Sequence, residues 1–308
     1  MSTYLFDFTG HATLEVTGDD ARTFLHNLST QDTKNLPEGH GVEAFFLTAT
    51  AKVVGQCWIW RQAPRGKTET LWLDLPPGQV ETILAHLRKH IIGEDVEVTD
   101  HTATLARLYL VGEGLADPAT PLTFRVQEDG ITLRRRDLLG HPGYDLLGPP
   151  EAIAELRETL LAQGATPSDE AMFHVLRIEA GMPWWGADID ATTFAPETAR
   201  IPQAISYSKG CYLGQEPVVM ARDRGVVQRK LVNLELGDTP ATGPLTHEGV
   251  EVGRVSSAVF SPRLGRAIGL GYAKRAHQAP GTRLRQGDRE VTVVALPFVA
   301  NEQGAAAE

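Results

Sequence analysis

The sequence predicts a protein of mixed α+β class whose C-terminal part is a small β-barrel. In the first two thirds of the chain, segments with alternating apolar residues are interspersed with segments of helical periodicity. After Arg229, only short and evenly spaced strand-like segments follow, separated by Gly, Pro and Asp, which is typical of a barrel. The chain has 308 residues, 42% of them hydrophobic, which is enough for two or three domain cores.

The predicted elements of the first part follow in an irregular order. A strand at 13–16 leads into a helix that Asp19 or Asp20 is expected to cap. In a later helix at 166–180, Thr166 is expected as the cap and Pro167 at the first helical position. The remaining helices are predicted at 80–91 and 151–162, and the strands at 41–48, 53–61, 70–75, 96–98, 103–111, 123–127 and 132–134.

The change of pattern near Arg229 sets the expected domain limits. We expect residues 1–225 to form an α+β unit with two subdomains and residues 226–300 to form the barrel. Residues 301–308 contain mainly Gly, Ala and Glu, so we expect a disordered tail there.

Composition excludes several classes of function. The net charge of -10 argues against generic nucleic-acid binding, which needs a basic face to neutralise phosphates. The longest apolar stretch, at 45–60, contains Lys52 and Gln56, so no membrane span is expected. Two cysteines are too few for a disulfide framework, and residues 1–10 do not resemble a signal peptide, so a cytoplasmic location is expected. His86 and His90 lack a third ligand, so no metal site is expected.

Cys211 is the first candidate functional residue. The residues after it, from Leu213 to Pro217, resemble the start of a helix in which Gly214 is the cap. A thiol just before a helix N-terminus and two residues after Lys209 is expected to have a lowered pKa and to be reactive. The alternative is a small buried residue, which is what most free cysteines are. Cys57 has no such surroundings and is expected in the core.

Glu179 is the second candidate. At about 100° per residue it falls within the apolar arc of its predicted helix, where a carboxylate needs a partner. It is suited to a ligand that presents two adjacent N–H donors, and the alternative is an internal salt bridge to an arginine. Beside this helix, Trp184 is expected to form the wall of a site for a flat ring, or else to lie in the core.

Basic residues occur in two clusters. Those after the cysteine segment are candidates for holding a carboxylated tail or a phosphate, the alternative being a solvated face; they are Arg222, Arg224, Arg229 and Lys230. The run 134–136 consists of three arginines and is expected to be the exposed end of a strand.

Several segments resemble a known family. The strongest match is to the signature of YgfZ proteins, the folate-binding branch of the glycine-cleavage T-protein superfamily, and it consists of Lys209, Gly210, Cys211, Tyr212, Leu213, Gly214, Gln215 and Glu216. Residues 177–181 and 186–190 are similar to the helix and loop of T-proteins (aminomethyltransferases), and 18–25 to their opening motif. Residues 253–257 and 296–298 resemble landmarks of their C-terminal barrel.

The resemblance implies a ring of two interleaved N-terminal subdomains and a barrel around a tetrahydrofolate pocket. In that superfamily the glutamate matching Glu179 holds the pterin, and Trp184, Arg224 and Arg229 are then expected as further folate contacts. The implied role is support of iron–sulfur cluster assembly or repair, including for tRNA-modifying enzymes, with Cys211 as the functional residue and Lys209 beside it. Iron–sulfur enzymes or assembly proteins are the implied partners.

Two other functions stay open at this point. An aminomethyltransferase would transfer a one-carbon unit to tetrahydrofolate, but T-proteins carry an Asn-Ala segment where this chain reads Leu73-Asp74-Leu75, and Asp74 lies too early to be the catalytic aspartate. Where YgfZ proteins have an arginine one turn after the motif glutamate, this chain has Met220. A noncatalytic folate-dependent scaffold, in which Cys211 is structural, is the other alternative.

Overall fold

The fold is given by a computed structural model. It describes residues 3–112, 118, 120–225, 227–295 and 298. The expected tail at 301–308 and residue 226, where the barrel was expected to begin, lie outside the described residues, as do two of the three residues of the landmark at 296–298.

The described residues form strands and helices in a mixed order. The strands are β1 (Tyr4–Asp7), β2 (Ala12–Gly18), β3 (Gly41–Leu47), β4 (Val53–Arg61), β5 (Glu69–Leu75), β6 (Glu97–Asp100), β7 (Ala106–Val111), β8 (Phe124–Val126), β9 (Thr132–Arg135), β10 (Gly143–Gly148), β11 (Thr166–Ser168), β12 (Arg229–Gly237), β13 (Gly243–His247), β14 (Val250–Ser261), β15 (Arg266–Lys274), β16 (Arg283–Gln286) and β17 (Arg289–Val294). The helices are α1 (Ala21–Leu28), α2 (Val80–His90), α3 (Pro150–Ala162), α4 (Glu170–Glu179), α5 (Ile201–Ala204) and α6 (Gln215–Arg224).

Two open sheets and a barrel contain these strands. One sheet has the order β3-β4-β5-β2-β6 and the other the order β11-β1-β7-β10-β9-β8. The N-terminal strand β1 therefore belongs to the second sheet, while the next five strands form the first, so the two N-terminal subdomains are interleaved. The last six strands close into a barrel in the order β12-β15-β14-β13-β16-β17. The predicted α+β class with a C-terminal barrel is confirmed.

Strand β4 supplies two different cores because its side chains alternate between the two faces of the sheet. Cys57 and Ile59 face α1 and α2 in an aliphatic core, and Cys57 is fully buried as the sequence predicts. Trp58 and Trp60 face the second sheet and join an aromatic core that includes Trp184. The space between the two sheets is therefore filled by large rings.

Asp74 joins the two sheets through buried charges. It lies on β5 with no solvent exposure, and Arg134 Nη1 on β9 is 2.7 Å from each of its carboxylate oxygens. Arg107 on β7 also donates to Oδ1, and Trp60 Nε1 donates to Oδ2 at 2.7 Å. Burial alone would raise the pKa of Asp74, but the guanidiniums of Arg107 and Arg134 outweigh it and hold the pKa below its usual range.

The arginine run at 134–136 is not the exposed strand end that the sequence predicts. Arg134 and Arg136 are 1% and 2% exposed, and Arg135 between them is half-buried. The prediction is wrong because buried carboxylates pair with the guanidiniums: Asp74 of the other sheet with Arg134, and Asp145 of the neighbouring strand β10 with Arg136 at 2.6 Å. The Trp58 ring also lies 4.4 Å from the Arg136 guanidinium carbon.

A second buried ion pair attaches the barrel. Arg177 on α4 donates to Asp188 Oδ2 at 2.7 Å, and both side chains are at most 1% exposed. The other oxygen of Asp188 accepts hydrogen bonds from Ser256 and Ser257 on β14. Tyr272 on β15 donates to the Asp188 carbonyl oxygen at 2.9 Å. The loop after α4 is therefore fixed to the barrel wall.

Helix α4 begins later than the sequence predicts. Its cap is Asp169, whose Oδ1 accepts from Met172 N at 2.9 Å, and Thr166–Ser168 instead pairs in parallel with β1. Pro167 has no N–H to donate, and it is tolerated here because β11 is an edge strand. Among the described residues, we find no helix that combines the length and apolar character needed to cross a membrane.

We expect Asp74→Asn to destabilise the protein by about 3–5 kcal/mol, because two buried guanidiniums lose their counter-charge. Urea unfolding measures the change. Asp238→Asn, at an exposed position, is the matched control and should change the free energy of unfolding by less than about 0.5 kcal/mol. Equal effects of the two substitutions would show that the Asp74 network does not join the sheets.

Candidate functional site

The segment 209–216 forms a surface loop that leads directly into α6. The predicted helix start is confirmed, since α6 begins at Gln215 with Gly214 as its cap and Pro217 in its first turn. Cys211 and Gly210 are exposed, whereas Lys209 and Tyr212 are buried. The exposed Cys211 and Gly210 therefore lie between two buried residues of the loop.

Lys209 turns its ammonium into the protein. Nζ donates to the carbonyl oxygens of His26, Ser29 and Gln31, the last two at 2.7 and 3.0 Å. It also lies 4.7 Å from the centre of the Tyr212 ring. Burial lowers the pKa of Lys209, whereas the charge of Asp32 and the three carbonyl acceptors favour the ammonium form. The three N–H groups of the ammonium are all used on carbonyls, and the described residues show no hydrogen bond between Lys209 and the Cys211 thiol.

Two of these carbonyls, those of His26 and Ser29, lie at the C-terminal end of α1. The last carbonyls of a helix have no partner within it, and the helix dipole places negative charge there. Lys209 Nζ donates to the His26 carbonyl, and Leu213 N donates to the Asn27 carbonyl at 2.9 Å. The loop that carries Cys211 is thus also the cap of α1.

Gly214 holds the other side of the loop. Its φ of +82° suits glycine, and a Cβ at this position would lie 2.5 Å from the Thr48 carbonyl oxygen and 3.0 Å from Leu47 Cβ. No larger residue fits without displacing the backbone after β3.

The other signature residues divide between core and solvent. Tyr212 packs among Phe45, Leu47 and Val218, and burial raises its pKa to about 12. Gln215 is half-buried and Glu216 is exposed. The Cys211 sulfur has no hydrogen-bond partner within the described part of the chain, and no group of three or more His, Cys, Asp or Glu there is arranged to hold a metal ion.

Trp184 lines a cavity of about 450 Å³ at the N-terminal end of α4. Phe8, Phe173 and His11 form aromatic walls, and Phe173 meets Trp184 edge to face with their centres 5.0 Å apart. Three carboxylates also line the cavity: Asp7, Asp169 and Glu170. Flat rings with N–H donors are the chemical class that such walls and acceptors suit.

His11 is a residue of this cavity that sequence reasoning missed. Its ring stacks on Phe8 with centres 4.0 Å apart and an angle of 9° between the planes. Burial, followed by the charges of Arg107 and Arg136, lowers the pKa of His11 to about 3, so the ring is neutral at neutral pH. A single histidine after β1 gives no sequence signal, because its neighbours in the cavity come from distant elements.

Glu179 is buried at the opposite end of α4. It is 3% exposed, its Oε1 accepts from Ser261, and Arg263 Nη2 lies 2.9 Å from Oε2. Both partners come from the end of β14 and the turn that follows. In this structure, therefore, the carboxylate makes the internal salt bridge that the sequence left as the alternative to a ligand. Arg263 itself is 44% exposed, so this turn separates Glu179 from solvent.

The basic cluster after the motif does not form one patch. Arg229 pairs with the buried Glu197 at 2.9 Å and lies over the Tyr272 ring, so it joins the barrel to the preceding loop. Arg222 pairs with its neighbour Asp223 at the surface, and Arg224 is exposed at the end of α6.

The structure therefore brings only some of the predicted residues together. Lys209, Gly210, Tyr212 and Gly214 surround Cys211 in one loop. Trp184 lies in the aromatic cavity, whose described lining includes neither Cys211 nor Glu179. The described contacts do not link Cys211 with Glu179 or Trp184, two of the folate contacts that the family resemblance implies.

We expect Gly214→Ala to destabilise the protein more than Gly225→Ala. Both glycines flank α6 with positive φ, but a Cβ at Gly225 meets no atom within 4 Å, whereas at Gly214 it meets the Thr48 carbonyl. The clash should add about 1–3 kcal/mol to the loss, measured by urea unfolding. Equal losses would mean that the approach to Thr48 does not constrain position 214.

Comparison with known proteins agrees with this architecture. Residues 2–209 match the family model of the GCVT N-terminal domain, and residues 229–299 match that of the glycine cleavage T-protein C-terminal barrel domain. A putative chloroplastic transferase of Arabidopsis thaliana is 28% identical over 96% of this chain and 71% of its own length. An aminomethyltransferase of Rubrobacter xylanophilus is 29% identical over 96% of this chain and 82% of its own length.

A solved structure shares the fold. The glycine cleavage system aminomethyltransferase T from Bartonella henselae superposes with a TM-score of 0.86 at 24% identity, over 97% of this chain and 86% of that chain. Taken with the two family models, which together span most of the sequence, the chain belongs to the glycine cleavage T-protein family.

Proposed function

We propose that this protein is a YgfZ-type member of the family, which binds tetrahydrofolate and supports iron–sulfur cluster assembly or repair, including for tRNA-modifying enzymes, through Cys211. The observation that carries the proposal is the position of Cys211. Its thiol is exposed, and the residues on both sides of it are anchored to α1 and to the end of β3. A thiol in such a place is accessible to a partner protein.

Folate binding is supported by the aromatic cavity. Trp184 and His11 are part of an aromatic wall against which a flat ring of the folate can pack, and a carboxylate of the lining can accept N–H donors of that ring. Glu179 lies about 13 Å from Glu170 along the axis of α4, at 1.5 Å per residue. A ligand that contacts both ends of this helix must be elongated, as tetrahydrofolate is. Binding at Glu179 requires the ligand to replace Arg263.

Aminomethyl transfer to tetrahydrofolate is the second candidate, because relatives such as the Rubrobacter protein carry that name. The reaction needs an acid that assists transfer from an amine-bearing carrier. Asp74 is poorly suited to this role, since it is fully buried and paired with two arginines. Glycine-cleavage activity in a reconstituted assay, retained by Cys211→Ala, would favour this candidate.

We expect calorimetry to detect tetrahydrofolate binding, with an affinity at least about tenfold lower in Trp184→Leu and in Glu179→Gln. Trp185→Leu is the matched control, because the neighbouring indole does not line the cavity. Thermal unfolding of each variant checks that the fold is intact. No binding by the wild-type protein would refute the folate part of the proposal.

In a strain that lacks the native gene, we expect the wild-type chain to restore the activity of iron–sulfur enzymes and Cys211→Ala to fail. Ser208→Ala, at an exposed neighbouring position, should restore it fully. The measured quantity is the activity of a cluster-dependent enzyme relative to its protein level. Full restoration by Cys211→Ala would refute the role of the thiol.

A further inference from the structure

We infer that Lys209 is a positioning residue, which fastens the Cys211 loop to the C-terminal end of α1 and so fixes the direction of the thiol at the protein surface. The inference rests on the proposed role of Cys211 as the reactive group. It gives Lys209 a different task from the electrostatic activation of the thiol that the sequence suggests.

The first support is the match of donors and acceptors. An ammonium has three N–H donors, and Nζ of Lys209 has three carbonyl partners, in His26, Ser29 and Gln31. Lys209 is 7% exposed, so replacing it leaves carbonyls without a partner in a place that water reaches poorly. A positive charge at this point also complements the negative end of the α1 dipole.

The second support is the short distance along the chain between anchors. Leu213 N donates to the Asn27 carbonyl, and Gly214 lies against Thr48. Only three residues separate Lys209 from Leu213, and one of them, Tyr212, has its ring in the core. Cys211 is therefore exposed, like Gly210, in a loop that is held at both ends, and the direction of its thiol depends on both anchors.

The consequence for the site is a thiol that faces outward. The described lining of the aromatic cavity does not include Cys211. A fixed and exposed thiol suits a group on a partner protein, and redox chemistry with a folate in the cavity would need the loop to leave its anchors.

The test compares Lys209→Met and Lys209→Gln with Lys34→Met. Lys34 is an exposed lysine close to His26, so its replacement removes a nearby charge and leaves the three carbonyl contacts intact. In each protein, Cys211 is labelled with a trifluoromethyl reagent for fluorine NMR; Cys57 is fully buried and does not compete. Amide hydrogen exchange at Leu213 and the thermal midpoint are measured on the unlabelled proteins.

We expect Lys209→Met to accelerate exchange at Leu213 by about tenfold or more and to shift the fluorine signal towards that of the unfolded chain. Lys209→Gln, which retains two donors, should give a smaller change, and Lys34→Met should match the wild type. Identical spectra and exchange rates in Lys209→Met and Lys34→Met would overturn the inference, because the loop would then keep its geometry without the three carbonyl contacts of Lys209.

Two further outcomes keep the result decisive. If Lys209→Met does not fold, the wild-type protein still decides: a Leu213 amide that exchanges as fast as that of the exposed Ser208 overturns the inference. If Cys211→Ala supports iron–sulfur enzymes fully while Lys209→Met still frees the loop, the positioning holds and the proposed function fails.

Discussion

Asp74 is buried between the two N-terminal sheets, and its carboxylate is the point at which they are joined. It lies on β5 of one sheet and holds Arg107 and Arg134 from the other, with Trp60 as a third donor. Removing one member of such a buried group leaves an uncompensated charge, which is strongly unfavourable. The relative position of the sheets is thus constrained by directional contacts, and the aromatic core between them forms around that constraint.

The candidate sites lie at the edge of the buried core between the two sheets or outside it. The aromatic cavity opens where β1 and α4 meet the turn after β5, so its walls depend on both sheets. The buried pair of Arg177 and Asp188 attaches the barrel in a similar way. The barrel in turn places Ser261 and Arg263 against Glu179. Cys211 lies apart from these buried contacts, on a loop fastened to α1. The molecule therefore separates the aromatic cavity from the exposed thiol.

The sequence was informative wherever a local pattern decides the structure. Periodicity predicted the barrel and the burial of Glu179, and the Gly-Gln-Glu-Pro order predicted the start of α6. It failed where the partner is distant in sequence. Arg134 was expected at the surface because its counter-charge, Asp74, lies 60 residues away. The orientation of Lys209 could not be predicted either, since its carbonyl partners precede it by about 180 residues. Thr166–Ser168 resembled a helix start, and the prediction failed because its strand partner, β1, lies at the other end of the N-terminal unit.

The long separation in sequence between α1 and the Cys211 loop has a consequence for folding. The end of α1 forms from residues 21–28, yet its carbonyls receive partners from residues 209 and 213. Closing a chain segment of this length carries a large entropic penalty that local contacts cannot offset early. We therefore expect the last turn of α1 to lack these partners until a late step of folding, when residues 209 and 213 reach it. The Cys211 loop gains its anchors in the same late step. A partially folded or truncated chain is therefore not expected to present Cys211 in its final geometry.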